Sequence, residues 1–184
     1  MDDGFLIRQV LGGNRNAFRL LVIRYQRPLF RFLGGFGLGQ ASVEELSQEV
    51  FLRVFRSLAD FDAGKAAFST WLFTIAKRLA LNERSRSHRR AEHVPIDEGE
   101  LPAPQETASA EHRLEISERE GRVERALRTL PETLRTPLLL AYLKELSLEQ
   151  IAQIEDCAIG TVKSRIFRGK ALLRAALANS EDPS

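Results

Sequence analysis

At 184 residues the chain has room for one ordinary domain or two small ones, and its 43% hydrophobic content excludes wholesale disorder. The lone cysteine, Cys157, excludes an intramolecular disulfide, and no apolar run approaches the roughly 20 residues of a membrane-spanning helix. A net charge of only +2 conceals segregation: residues 77–90 hold six cations against one acid, Glu83, and residues 91–120 hold nine acids against Arg113 and Arg119. Such asymmetry suits a nucleic-acid surface with an acidic segment beside it better than a uniformly charged globule. The opening "MDDGFLIRQV" has two acids and no signal-type apolar core, so the expected location is cytoplasmic, without membrane insertion.

In chain order, almost every periodic segment reads as helix. Phe5 to Leu11 forms a short one, closed by Gly12 and Gly13. From Ala17 to Leu33, Phe18, Leu21, Val22, Tyr25, Leu29, Phe32 and Leu33 share one helical face. The glycine-rich "GGFGLGQ", Gly34 to Gln40, is a turn. Ser42 with Glu45 has the capping-box spacing that predicts the next helix start, and Val43, Leu46, Val50, Phe51, Val54, Phe55 and Leu58 form its apolar stripe. "FDAGKAAF" interrupts, and a further helix runs from about Ser69 into the arginine cluster. Between His93 and Ala110 there are three prolines, several acids and little apolar content, a composition that cannot offset the entropy of ordering. The expectation is an all-α protein of two small helical domains, 1–92 and 113–184, joined by a flexible acidic linker over 93–112.

In the second domain, His112 to Thr129 is helical in pattern and Leu130-Pro131 marks a break. Thr136-Pro137 reads as an N-cap with proline at the first helical position. Ser147 and Gln150 make a second capping box, starting "SLEQIAQI", and "EDC" connects it to a basic helix. A short helix, a tight turn and a second helix make a helix-turn-helix, whose second helix enters the DNA major groove. Ile151, Ala152 and Ile154 are predicted to pack inward, and Ile159, Val162, Ile166 and Leu173 to form the buried stripe of the basic helix. Lys163, Ser164, Phe167, Arg168 and Lys170 then point outward, with Arg165 nearer the edge. Guanidinium groups suit guanine edges, lysines suit phosphate, and Gly160-Thr161 in the first turn permits close approach to the backbone. The bland alternative is a basic amphipathic helix on a solvated face.

The run "LSLEQIAQIEDCAIGTVKSRIFRGKALLR", preceded by "LPETLRTPLLLAYLKEL", closely resembles region 4 of the extracytoplasmic-function sigma factors of bacteria, with Gly160 to Arg165 as the strongest local signal. "ELSQEVF", Glu45 to Phe51, resembles the helix of region 2 in the same family, and "FDAGKAAFSTWLFTIAKRLALNERSRSHRR" resembles its promoter-melting segment. The resemblance implies a transcription initiation factor that binds core RNA polymerase through the β′ clamp and β flap and directs it to promoter DNA. It implies a core-binding face of Glu45, Gln48, Glu49, Leu52, Arg53 and Arg56. For the minus-thirty-five element it implies Lys163, Ser164, Arg165, Phe167 and Arg168, beside Thr161 and Lys170 from the reading of the helix itself. For the minus-ten element it points to Lys65, Phe68, Trp71, Lys77, Arg78, Asn82, Arg84 and Arg86, since aromatics near cations can stack on unpaired bases. Phe68, Trp71 and Phe73 serve equally well as core residues, which makes the arginines the better candidates. An anti-sigma protein that holds the factor inactive is a further implied partner.

No catalytic or cofactor pattern accompanies these motifs. "GGFGLGQ" lacks the lysine and the preceding strand of a phosphate cradle. His88, His93 and His112 have no metal-binding spacing, and Cys157 reads as a small packing residue. No cofactor, no metal and no enzymatic activity are expected. The rival readings are a helix-turn-helix regulator that binds an operator without polymerase, and an interaction module without promoter activity.

Overall fold

The computed structural model describes residues 2–91, 121–143 and 146–179, and these residues form eight α-helices and one short 3-10 turn, with no strand among them. The all-α class holds. The expected linker over 93–112 lies outside the described residues.

Helix α1, Asp3–Leu11, starts where the Asp2 carboxylate accepts the Phe5 N–H at 2.6 Å and stops at Gly12, followed by Gly13 with φ 94°. Helix α2, Arg15–Gly34, is capped by Asn14 and carries Pro28 inside it. Its buried face, Ala17, Leu21, Tyr25, Leu29, Phe32 and Leu33, keeps five of the seven residues that periodicity predicts and adds Ala17, while Phe18 and Val22 are half-buried at its edge. Helix α3, Gln40–Arg56, begins two residues before the expected Ser42 cap: Gly39 is its N-cap, in extended conformation and without a side-chain bond. The glycine turn sets the entry, because Phe36 and Leu38 are buried and fix the chain ahead of the helix. A 3-10 turn, Leu58–Asp60, leads into the loop before α4, Phe68–Ala91.

In the second half, α5 spans 121–129 and α6 Glu132–Tyr142. The expected Thr136-Pro137 start is corrected: Pro131 is the N-cap, and Pro137 sits within α6. A helix-interior proline forfeits one backbone hydrogen bond, and here its neighbours Leu138, Leu139 and Leu140 are all buried and offset that loss. Helix α7, Leu148–Glu155, has the predicted capping box, with the Ser147 N–H donating to Gln150 Oε1 at 2.7 Å and the Gln150 N–H to Ser147 Oγ at 3.3 Å. Asp156, left-handed at φ 51°, turns the chain toward α8, Ile159–Asn179.

Arg135 is buried on α6 and donates to the carbonyls of Leu127 at 2.8 Å, Arg128 at 2.7 Å and Leu130 at 2.6 Å. It thereby supplies donors to the carbonyls at the end of α5, where Leu127 also accepts the Leu130 N–H at 3.2 Å. Burial, assisted by the cation of Arg84, lowers its pKa to about 10, so it stays charged at neutral pH.

The two halves share one apolar core. The glycine turn of the first half meets α5 and α6 of the second: Gly35 lies so close to Leu139 that a Cβ would collide with that side chain. Gly37, at φ 74°, packs under Arg128. Helix α4 packs along α7, and the Gln150 amide donates to Ser69 Oγ at 3.4 Å.

Candidate nucleic-acid interface

Helix α8 divides cleanly by its periodicity. Val162, Ile166, Gly169 and Leu173, at spacings of four, three and four, are buried against α6 and α7. Gly169 is a member that the apolar pattern cannot reveal. A Cβ there would lie 3.2 Å from the Leu134 carbonyl oxygen and 3.4 Å from Leu138, so its absence lets α8 seat on α6. Ile159, expected in the stripe, is instead 37% exposed, at the first position of the helix.

The opposite face of α8 is open. Lys163, Ser164, Phe167, Arg168 and Lys170 are all exposed, and Phe167 is 76% so, which is extreme for a large aromatic. Thr161 is half-buried in the first turn, beside a Gly160 with open space around it. At that helix start the Thr161 and Val162 N–H groups donate to the Ala158 carbonyl, at 2.9 and 3.1 Å. Arg165 lies at the edge, as expected, but is engaged: its Nη1 is 3.4 Å from Glu155 Oε2 and 3.8 Å from Cys157 Sγ. Cys157 is therefore a half-buried packing residue at the turn. Glu149, at the start of α7, has its carboxyl held below the ordinary value by the Ser147 hydroxyl and its own backbone N–H, with a smaller pull from Lys163.

The candidate minus-ten residues separate into three groups. Phe68 is only 3% exposed and packs edge-on to Tyr25 and Phe61, so its ring offers no face to a base; for this residue the core reading replaces the stacking one. Trp71 keeps partial exposure, with its ring 5.1 Å from that of Phe61. Arg78, Asn82 and Arg86 follow one another at four-residue spacing along α4 and are all exposed, which gives a basic row in line with Trp71. Lys65 extends into solvent from the preceding loop, 3.5 Å from Asp62. Lys77 and Arg84, seven residues apart, face the second half of the chain instead. Lys77 Nζ lies 2.9 Å from Glu155 Oε1, and Arg84 Nη1 lies 3.5 Å from Glu132 Oε2.

On α3, Glu45, Gln48, Leu52, Arg53 and Arg56 are exposed and Glu49 is half-buried, ion-paired to Arg53 at 2.6 Å. Leu52 is 48% exposed, an apolar side chain open on this face as expected. Phe55 joins it at 42% exposure, contrary to its expected place in the core stripe. Its ring rests edge-on against Phe18 at 4.9 Å, over the rim of the core. Buried Ser47 belongs to the core face of α3, a position that its polarity conceals.

Among the described residues no group of His, Cys, Asp and Glu could hold a metal, and no helix is long and apolar enough to cross a membrane.

Comparison with known proteins adds an independent line. Residues 21–90 match the family described as sigma-70 region 2, and residues 120–173 match sigma-70, region 4. The RNA polymerase sigma-H factor of Pseudomonas aeruginosa is 35% identical over 182 residues, covering 95% of this chain and 93% of that protein. The ECF RNA polymerase sigma-E factor of Escherichia coli is 35% identical over 189 residues, covering 100% of this chain and 96% of its own length. Among solved structures, CnrH in complex with the cytosolic domain of CnrY aligns with a TM-score of 0.73 at 25% identity, over 96% of this chain and 97% of that one. The sigma factor RpoE from Bartonella quintana, solved in complex with the anti-sigma factor NepR, shares the fold with a TM-score of 0.67 at 24% identity, over 88% of this chain and 96% of that one.

Proposed function

The chain belongs to the sigma-70 family, as a sigma factor of the extracytoplasmic-function type with regions 2 and 4, and from that premise we propose how its named residues divide the work of initiation. It is a transcription initiation factor that binds core RNA polymerase and brings it to promoter DNA. Helix α8 is the duplex reader. Lys163, Ser164, Phe167 and Arg168 approach base edges of the minus-thirty-five element, with Arg168 suited to a guanine edge and Phe167 to a thymine methyl. Thr161 and Lys170 hold phosphate and fix the register.

The row from Trp71 through Arg78, Asn82 and Arg86, with Lys65 in the loop ahead of it, takes the minus-ten strand as it unpairs. Cations hold the strand backbone, and Trp71 supplies a partly open ring for a base. Lys77 and Arg84 join this surface once their carboxylate partners are released. Leu52, with Glu45, Gln48, Glu49, Arg53 and Arg56 around it, docks on the polymerase β′ clamp, and Phe55 extends the apolar centre of that patch. Region 4 takes the β flap. The domain limits 1–92 and 113–184, with the acidic linker of 93–112 between them, place one grip in each domain. An anti-sigma protein is proposed as the regulator, by analogy with the Bartonella quintana complex.

The observation that carries this reading is the exposed, acid-free face of α8, mounted on a capped helix-turn-helix in the same chain as the α3 patch. A regulator acting without polymerase is disfavoured, because polymerase sigma factors match along nearly the full chain. The test is run-off transcription with purified core polymerase on promoters of the source genome. A specific transcript that appears only when this protein is added is the expected result. Core binding without any specific transcript sinks the proposal.

A further inference from the structure

Helix α2 carries charge of one sign only: Arg15, Arg19, Arg24, Arg27 and Arg31 stand on it without an acid among them. Asp3 of α1 pairs with Arg24. Opposite the buried face of α2 runs a line of Asn16, Leu20, Ile23, Arg27 and Phe30, all exposed and alternating at spacings of four and three. Leu20 is 46%, Ile23 52% and Phe30 40% exposed, so three large apolar side chains meet solvent along one line. Arg19 borders the line on one side and Arg31 on the other. Toward its N-terminal end the line deepens. There Asn16, Leu20 and Ile23 join Phe5 and Gln9 of α1 around a groove of about 350 Å³, with Arg19 among its walls. Contiguous apolar surface of this kind, rimmed by charge, marks interaction sites. None of its residues belongs to the α3 patch, the α4 row or α8.

From this pattern we propose that the outer face of α2 docks an acidic amphipathic helix of a protein partner, at a surface separate from those assigned to polymerase and promoter. Four-three alternation is the spacing of a helix–helix seam, in which apolar side chains of one helix enter holes on the other. Residues that border such a seam select the partner by charge. Here the border is arginine, so the partner carries Glu or Asp beside its own apolar stripe. The groove beside α1 takes the anchoring side chain of that helix. A nucleic-acid strand uses the arginines but leaves Leu20 and Ile23 unmatched, since an aliphatic side chain offers a base no ring to stack on. A lipid layer has to receive Arg27, which stands in the middle of the line. The seam rests on the geometry of α2, and its separation from the polymerase surface rests on the sigma-factor reading.

The probe is a synthetic peptide of about three heptads, with Leu at the a and d positions and Glu at e and g, whose like charges disfavour pairing with itself. Its labelled form is titrated with the full-length chain, with Ile23→Glu and with Arg19→Glu, and a scrambled peptide of equal composition is the control. Both substitutions fall at exposed positions, so circular dichroism and melting temperature are expected to stay unchanged. Expected are binding by the wild-type chain, weakened about tenfold or more in Ile23→Glu and about threefold or more in Arg19→Glu, and no binding of the scrambled peptide. Equal affinity of all three chains, equal affinity for both peptides, or no binding at all overturns the proposal. A single-stranded oligonucleotide or phosphatidylglycerol vesicles bound more tightly than the peptide, with the same dependence on Arg19, assign the face to nucleic acid or lipid and overturn it too.

Core polymerase supplies the last arm. Peptide retained on the polymerase-bound chain supports a separate surface, and peptide displaced by core polymerase overturns it. A chain that binds the peptide and never starts a specific transcript refutes the sigma reading alone, whereas a specific transcript without peptide binding refutes the docking face alone.

Discussion

Arg168 and Arg135 are the same residue type put to opposite uses. Arg168 stands in solvent on α8, where nothing in the fold depends on it. Arg168→Ala is expected to reduce transcription from a dependent promoter by about tenfold or more, in line with the roughly 1–3 kcal/mol of a bidentate base contact. Core affinity and melting temperature stay unchanged; loss of core binding in a pull-down would put α8 on the wrong surface. Arg135 is sealed inside and donates to three carbonyls, of which that of Leu127 also accepts the Leu130 N–H at 3.2 Å. Arg135→Met takes the side-chain donor from the Arg128 and Leu130 carbonyls, at a cost of about 2 kcal/mol or more. A urea titration that shows no shift in midpoint would refute this structural role. Sequence alone gives the two arginines equal weight as cations, because burial of a guanidinium is decided by which carbonyls fold around it.

At the scale of elements, the predicted helices appear in order, and the errors share a cause. The Ser147–Gln150 box was legible because its two hydrogen bonds are local. Ser42–Glu45 and Thr136-Pro137 have equally good local patterns, yet those helices begin earlier, at Gln40 and Glu132. In both cases non-local burial, of Phe36 and Leu38 or of Leu138 to Leu140, outweighs a cap worth about 1 kcal/mol. The outward face of α8 was legible from charge, whereas Gly169 was hidden, since glycine carries no hydrophobic signal. Gly169→Val is expected to push α8 from α6 and destabilise the protein by about 1–3 kcal/mol, read as a fall in melting temperature; an unchanged value would show that α6 yields freely. On α3, Leu52→Asp alters an exposed side chain, so it is expected to weaken core binding by about tenfold or more without changing stability. A binding curve identical to wild type would remove α3 from the docking surface.

For the whole molecule, the sequence indicated two helical halves but not their embrace. The junction is written in Lys77, Glu155 and Gly35, residue types that read as solvated surface or turn until both halves are in place. Because one apolar core runs through both halves, thermal unfolding of the free chain is expected as a single transition. Calorimetry of Gly35→Ala is expected to split it into two, and a single sharp transition in that variant would contradict the coupling. The Lys77–Glu155 contact also leaves a mark beyond the single molecule. These positions are far apart in the chain, so a charge reversal at one is tolerated only with the opposite reversal at the other. Lineages that keep this contact should show the two positions covarying, whereas lineages that have lost it should let them drift independently.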